Sequence, residues 1–137
     1  MSGVSGKEFG FQSGQIVQEF GYDDDVDFDV REAIEHVLGE PLVDEDFDAA
    51  IDGVIAWWRA DDGDTDDLTD YLVDCSSGLA DENSVIWLFV PARHQAHAVP
   101  MEDVNEAADT AGLSVTSTRS LPSGWTAFRV VTHGRSY

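Results

Sequence analysis

The sequence predicts an α/β domain built on a mainly parallel sheet that ends in an antiparallel hairpin. Three observations carry this. Two continuous apolar runs, Val54–Trp58 and Val85–Val90, have the length and composition of strands covered on both faces. Segments with helical apolar spacing alternate with them. After the last of these the pattern changes to period two around Leu121-Pro122-Ser123-Gly124, a turn sequence between two strands.

Residues 1–13 are rich in Gly and Ser without periodicity and read as a flexible arm. Gln15–Phe20 reads as the first strand, closed by Gly21. The first helix carries Val30, Ala33, Ile34, Val37 and Leu38 on one face, with Asp27 or Asp29 to cap its start and Gly39 to end it. Pro41–Val43 reads as a short second strand, and Phe47, Ala50 and Ile51 as a helical turn. Val54–Trp58 follows, then an Asp-rich loop, Asp61–Asp67, and a second helix marked by Leu68, Tyr71, Leu72, Cys75 and Leu79. Val85–Val90 is a buried strand stopped by Pro91. Pro100 opens a third helix with Met101, Val104, Ala107, Ala108 and Ala111 inward and Gly112 at its end. Ser114–Leu121 and Trp125–Val131 form the terminal pair.

Strands joined by crossover helices imply right-handed connections and helices on both faces, a Rossmann-like three-layer sandwich. The order of strand, helix and terminal antiparallel pair resembles the second half of an S-adenosylmethionine-dependent methyltransferase in a degenerate form. That likeness concerns fold and carries no function. The expected organisation is one domain over residues 14–133, with a tail at 134–137; 137 residues suffice for a single core. With no signal-peptide pattern, no membrane-length apolar run and one cysteine, a cytoplasmic location is expected.

Charge is the most informative part of the composition. Between Glu19 and Glu82 there are 23 acidic residues against Arg31 and Arg59, so this segment carries the entire net charge of −21; the other five acids and five bases cancel. Such a surface repels phosphate, which excludes direct nucleic-acid binding. A solubilising surface, adaptation to high salt and a docking face for a basic protein are each compatible with it. The docking face would comprise Asp23, Asp24 and Asp25, Asp44 and Asp46, and Asp61, Asp62 and Asp64.

Several strings occur in one order: Gly14-Gln15-Ile16-Val17-Gln18-Glu19-Phe20-Gly21, Leu42-Val43-Asp44-Glu45-Asp46, Trp57-Trp58-Arg59, Val85-Ile86-Trp87-Leu88 and Ala111-Gly112-Leu113. Together they resemble the small acidic actinobacterial proteins grouped as domain of unknown function 3052, over about residues 9–131. The resemblance implies kinship and, since that family has no established activity, assigns no catalytic residue.

A nucleotide or adenosylmethionine cradle needs a glycine-rich loop after the first strand, whereas this loop reads Gly21-Tyr22-Asp23-Asp24-Asp25, so no cofactor is expected. Asp25, Asp27 and Asp29 match the first oxygen positions of a calcium loop, but Val30 and His36 stand where Gly and Glu are required; Asp62, Asp64 and Asp66 fail in the same way at Asp67 and Val73. No metal site is expected. His94 and His97 have no neighbouring ligand set and read as loop residues. Because their loop leaves the carboxyl end of a strand, Arg93, His94 and His97 with Gly21 are the candidates for a small-molecule pocket. Cys75 reads as a buried core residue, and Trp57 and Trp58, being adjacent, must face opposite sides of a strand. The sequence thus points to a non-catalytic binding or regulatory module. The alternative is a small-molecule enzyme or sensor of methyltransferase-like ancestry.

Overall fold

The computed structural model describes residues 9–79 and 84–132. The chain runs through β1 (Val17–Phe20), α1 (Phe28–Leu38), β2 (Gly53–Trp57), α2 (Thr65–Ser76), β3 (Val85–Pro91), α3 (Met101–Thr110), β4 (Leu113–Ser120) and β5 (Trp125–Thr132). The sheet order is β1-β2-β3-β5-β4. β1, β2 and β3 are parallel, and β5 runs antiparallel to both β3 and β4, so the terminal hairpin inserts its second strand beside β3. The mainly parallel α/β sandwich with an antiparallel end is the architecture the sequence predicts.

Local chemistry fixes the helix ends. Asp27 Oδ1 accepts the Val30 amide at 3.1 Å, and Gly39 takes a left-handed φ of 78° to return its N–H to Glu35. Asp64 and Asp67 cap α2 reciprocally, each carboxylate accepting the other's amide at 3.0 Å. Part of the acidity therefore closes helix termini.

Alternation along the strands makes two cores. Val54, Ala56, Ile86, Leu88, Val90, Phe128 and Val130 face α2 and α3, where Leu68, Leu72, Cys75, Val104 and Ala107 meet them. Ile55, Trp57, Trp87, Phe89 and Ala127 face the other way, toward Val30, Ile34 and Leu38 of α1. Trp57 and Trp58 are both buried, on opposite faces. Cys75 is buried as expected, and loss of solvation pushes its thiol pKa well above the ordinary value.

The structure departs from the sequence reading in five places. Of the expected arm, residues 1–8 lie outside the described residues, but Phe9 is only 2% exposed and Phe11 is buried with it. The Phe9 carbonyl accepts the Trp87 indole N–H at 2.8 Å, and the ring packs edge-on against Trp87 and Phe89. A Gly- and Ser-rich stretch gave no periodic signal for two aromatic anchors. β1 begins at Val17, two residues later than expected. Pro41–Val43 is not a strand: Val43 alone bridges to β1, exchanging hydrogen bonds with Val17 and Glu19. Residues 47–51 make no helical turn; Ile51 bridges Leu79 instead, placing Leu79 beyond the end of α2. β3 includes Pro91 as its last residue, where a missing N–H interrupts no interior ladder. The expected tail, 134–137, lies outside the described residues.

Candidate functional site

The carboxyl ends of β1 and β2 are where an open α/β sheet offers a ligand crevice. Here Arg59, two residues beyond β2, fills it. Its side chain is 10% exposed. One guanidinium nitrogen donates to the Gly21 carbonyl at 2.8 Å, Nε donates to Asp25 Oδ2 at 3.1 Å, and the remaining nitrogen pairs with the other Asp25 oxygen. Asp62 lies 3.7 Å away, and the guanidinium sits 5.4 Å from the centre of the Trp125 ring. The Trp125 indole N–H in turn donates to the Asp25 carbonyl at 3.1 Å. One cation thus ties together the β1–α1 loop, the β2–α2 loop and the start of β5. Hydrogen bonding to Arg59 holds the Asp25 carboxyl below its usual pKa. Burial opposes the charge of Arg59, but the hydrogen bond and attraction to Asp25 outweigh it and raise the guanidinium pKa.

Gly21 is closed off as well. Its φ is +75°, and a Cβ there would stand 2.3 Å from the Trp57 carbonyl oxygen and 2.4 Å from the Tyr71 hydroxyl. Its N–H donates to Glu45 Oε2 at 2.9 Å. The Gly21 amide is thus bound to Glu45 and its carbonyl to Arg59, so both backbone groups of this glycine are engaged within the protein. The close approach that glycine normally gives a cofactor is given to the protein's own Trp57.

Beneath this clamp lies a second charge pair. Glu19 on β1, its side chain 7% exposed, accepts Arg31 Nε at 2.7 Å, Arg31 Nη2 at 2.9 Å and the Trp57 indole N–H at 2.9 Å. Arg31 lies over the Tyr22 ring, 4.8 Å from its centre, and its pKa is raised by the Glu19 hydrogen bond. Both oxygens of the buried carboxylate are satisfied, as buried charge requires.

The three acidic segments, far apart in sequence, meet around these two arginines. Asp23, Asp24 and Asp25 lie on the β1–α1 loop; Asp44 and Asp46 flank Glu45, which holds Gly21; and Asp61, Asp62 and Asp64 lie on the β2–α2 loop beside Arg59. All eight aspartates are exposed. Asp25, Asp62 and Asp64 also have structural partners, in the clamp and the α2 cap.

The histidine loop is less organised. Arg93, His94 and His97 are exposed. His97 has a positive φ of 62°; its carbonyl accepts the Ala60 amide at 2.9 Å and its ring stands 3.8 Å from Asp61. Gly21 is hydrogen-bonded to Arg59 and Glu45, whereas His97 is hydrogen-bonded to Ala60 and stands beside Asp61. A cavity of about 230 Å³ does open just beyond the end of β2, between the starts of α2 and α3. It is lined by Trp58, Leu68, Val99 and Pro100, with Asp64 and Asp103 at its wall. Among the described residues, no group of three or more His, Cys, Asp or Glu side chains is arranged to hold a metal ion, and no helix is long and apolar enough to cross a membrane.

Arg59, Glu19, Arg31 and Trp125 did not stand out in the sequence. Arg31 and Arg59 are, however, the only bases in the acidic segment, a signal that they neutralise buried or crowded carboxylates.

The solved structures similar in fold include magnesium protoporphyrin IX methyltransferase (ChlM) from Synechocystis with bound SAM, at TM-score 0.59 and 12% identity over 93% of this chain and 74% of that one. TnmH matches at TM-score 0.65 and 9% identity over 93% of this chain and 53% of its own length. The mitomycin 7-O-methyltransferase MmcR matches at 0.61 and 11%, over 93% and 52%. At these identities the likeness is one of fold, the Rossmann-like fold of S-adenosylmethionine-dependent methyltransferases. The uncharacterized proteins Rv2239c of Mycobacterium tuberculosis and Mb2263c of Mycobacterium bovis are 46% identical over 126 residues, covering 91% of this chain and 76% of theirs. The family model described as "Protein of unknown function (DUF3052)" matches residues 6–134, and the chain belongs to that family.

Proposed function

We propose that this protein is a non-catalytic binding or regulatory module of the cytoplasm that docks a basic patch of a protein partner onto its acidic rim. Asp23, Asp24, Asp25, Asp44, Asp46, Asp61, Asp62 and Asp64 form the contact surface. The observation that carries the reading is the convergence of three acidic segments on Gly21 and Arg59, at the sheet end where a ligand crevice would otherwise open. Exposed carboxylates crowded on anchored loops favour Lys and Arg, disfavour nucleic acid, and lose little conformational entropy on binding. No cofactor takes part.

The test is affinity purification of the tagged protein from its own cells at low and at high salt, with captured proteins identified by mass spectrometry. The same capture is run with Asp→Asn changes at Asp23, Asp24, Asp44, Asp46 and Asp61, which leave the clamp and the α2 cap in place. A basic partner held at low salt and lost at high salt, or lost on substitution, is expected. Capture indifferent to both refutes docking by this rim.

A second reading, a small-molecule enzyme or sensor of methyltransferase-like ancestry, is favoured by the cavity beside Trp58 just beyond the end of β2. Calorimetric titration with S-adenosylmethionine separates the two. Saturable binding would move the function to that cavity, and its absence is expected from the filled space at Gly21.

A further inference from the structure

The two edges of the sheet are treated differently. At the β1 edge, Val43 returns to the strand: the Glu19 amide donates to the Val43 carbonyl at 2.8 Å and the Val43 amide to the Val17 carbonyl at 3.0 Å. At the other edge lies β4, eight residues paired on one side with β5. Among the described residues no strand pairs with its outer side. From Thr116 to Ser120 every residue is exposed, and the sequence is Thr-Ser-Thr-Arg-Ser. Isolated edges of this length are ordinarily blunted by charge, proline or a covering loop. Here a register shift at Val115/Ser117 interrupts the strand once, toward its start, and leaves Ser117–Ser120 regular.

Charge restricts what such an edge can accept. A second copy brings a net charge of −21, and that charge resides between Glu19 and Glu82. From Thr110 to the last residue there is no acid at all, while Arg119 and Arg129 lie on the hairpin. Arg119 stands opposite Ala127 and Ser117 opposite Arg129, so the two arginines share one face of the β4–β5 pair. On the opposite face, α3 packs beside β4 and carries the exposed acids Glu102, Glu106 and Asp109. The hairpin is thus the part of the molecule by which two copies approach with least repulsion.

We propose that β4 is a self-association edge, on which a second copy of this chain pairs antiparallel about a two-fold axis to make one continuous sheet through both molecules. Centred on Thr118, the pairing sets Thr118 against its own counterpart and Arg119 against Ser117 of the other copy. It avoids an Arg–Arg contact and makes the Thr–Thr and Thr–Ser neighbours that suit antiparallel pairs. An interface of a few strand residues is small, so a dissociation constant of about 1–100 μM is expected.

The experiment is sedimentation equilibrium of the full chain at increasing concentration, with ionic strength raised from about 0.1 M to about 1 M, over which the Debye length falls from about 10 Å to about 3 Å. The expected result is a shift from the 15.0 kDa monomer toward twice that mass, tighter at high salt because the two acidic bodies are then screened. Docking of a basic partner on the acidic rim has the opposite salt dependence, so the two interactions are told apart. Thr118→Glu sets two carboxylates face to face at the axis and is expected to weaken the dimer about tenfold or more. In a separate variant, Thr118→Cys cross-links two chains on mild oxidation, whereas the native chain does not, Cys75 being buried. A 15.0 kDa species at every concentration and salt overturns the proposal. So does a dimer that Thr118→Glu leaves intact and that Thr118→Cys fails to cross-link.

Discussion

The guanidinium of Arg59 and the carbonyl of Gly21 are joined at 2.8 Å, and this contact ties the β2–α2 loop to the turn after β1 at the carboxyl end of the sheet. The same cation holds Asp25 and lies over Trp125, so three loops depend on it.

Arg59→Met is therefore expected to lower stability by about 2 kcal/mol, since it leaves the Gly21 carbonyl and Asp25 without their donor. Arg59→Lys recovers only part of the loss, because an ammonium cannot serve carboxylate and carbonyl with a planar fork. Urea unfolding followed by tryptophan fluorescence measures both variants. Equal stability of Arg59→Met and the native chain would show that the clamp holds nothing.

The pair beneath behaves as a unit. Glu19→Gln keeps the size of the side chain but strands Arg31, itself 22% exposed, and is expected to cost about 2–3 kcal/mol. Replacing both, Glu19→Gln with Arg31→Met, is expected to cost less than the sum of the single changes, with a coupling of about 1 kcal/mol or more. A double-mutant cycle in urea gives this number, and strict additivity would deny the pair its role.

Gly21→Ala tests the close approach. A Cβ 2.3 Å from the Trp57 carbonyl oxygen forces β1 away from β2, on top of the cost of a left-handed φ for alanine. A loss of about 2 kcal/mol or more is expected in thermal or urea unfolding. Tyr71→Phe removes the hydroxyl but not the backbone oxygen, so it is not expected to rescue the change.

The clamp also has an acid limit. The folded pKa of Asp25 is below its unfolded value, which lies near 3.9 for an aspartate. Its contribution is complete above the unfolded pKa and is lost as pH falls through the folded one. Asp25 is 55% exposed, so solvent screening keeps the effect small. The expected outcome is a tryptophan fluorescence change below about pH 4 that Asp25→Asn removes. A change unaltered in Asp25→Asn would assign it to another carboxylate.

Much of the framework was legible because local rules decide it. Asp27 before an apolar stripe and Gly39 after it specify α1, and two continuous apolar runs specify strands buried along nearly their whole length. Where one residue rather than a pattern carried the structure, the sequence misled. Val43 bridges β1 as a single residue, and Phe9 and Phe11 fill the core from a segment without periodicity. The site was less legible still: the acidic segments were visible, but Glu19 and Arg31 are twelve residues apart and Arg59 and Asp25 thirty-four.

By itself the sequence determined the three helices and the strands around them, the two-faced core, the helix caps and the confinement of all net charge to one segment. These follow from spacing and composition along the chain. Only the tertiary structure decided that three acidic segments become one rim, that two arginines lie inside it, and that the crevice beside Gly21 is filled. Parallel strands bring loops together at one end of the sheet whatever their separation in sequence, and a buried cation must find its carboxylates there because low-dielectric surroundings leave it no other solvation.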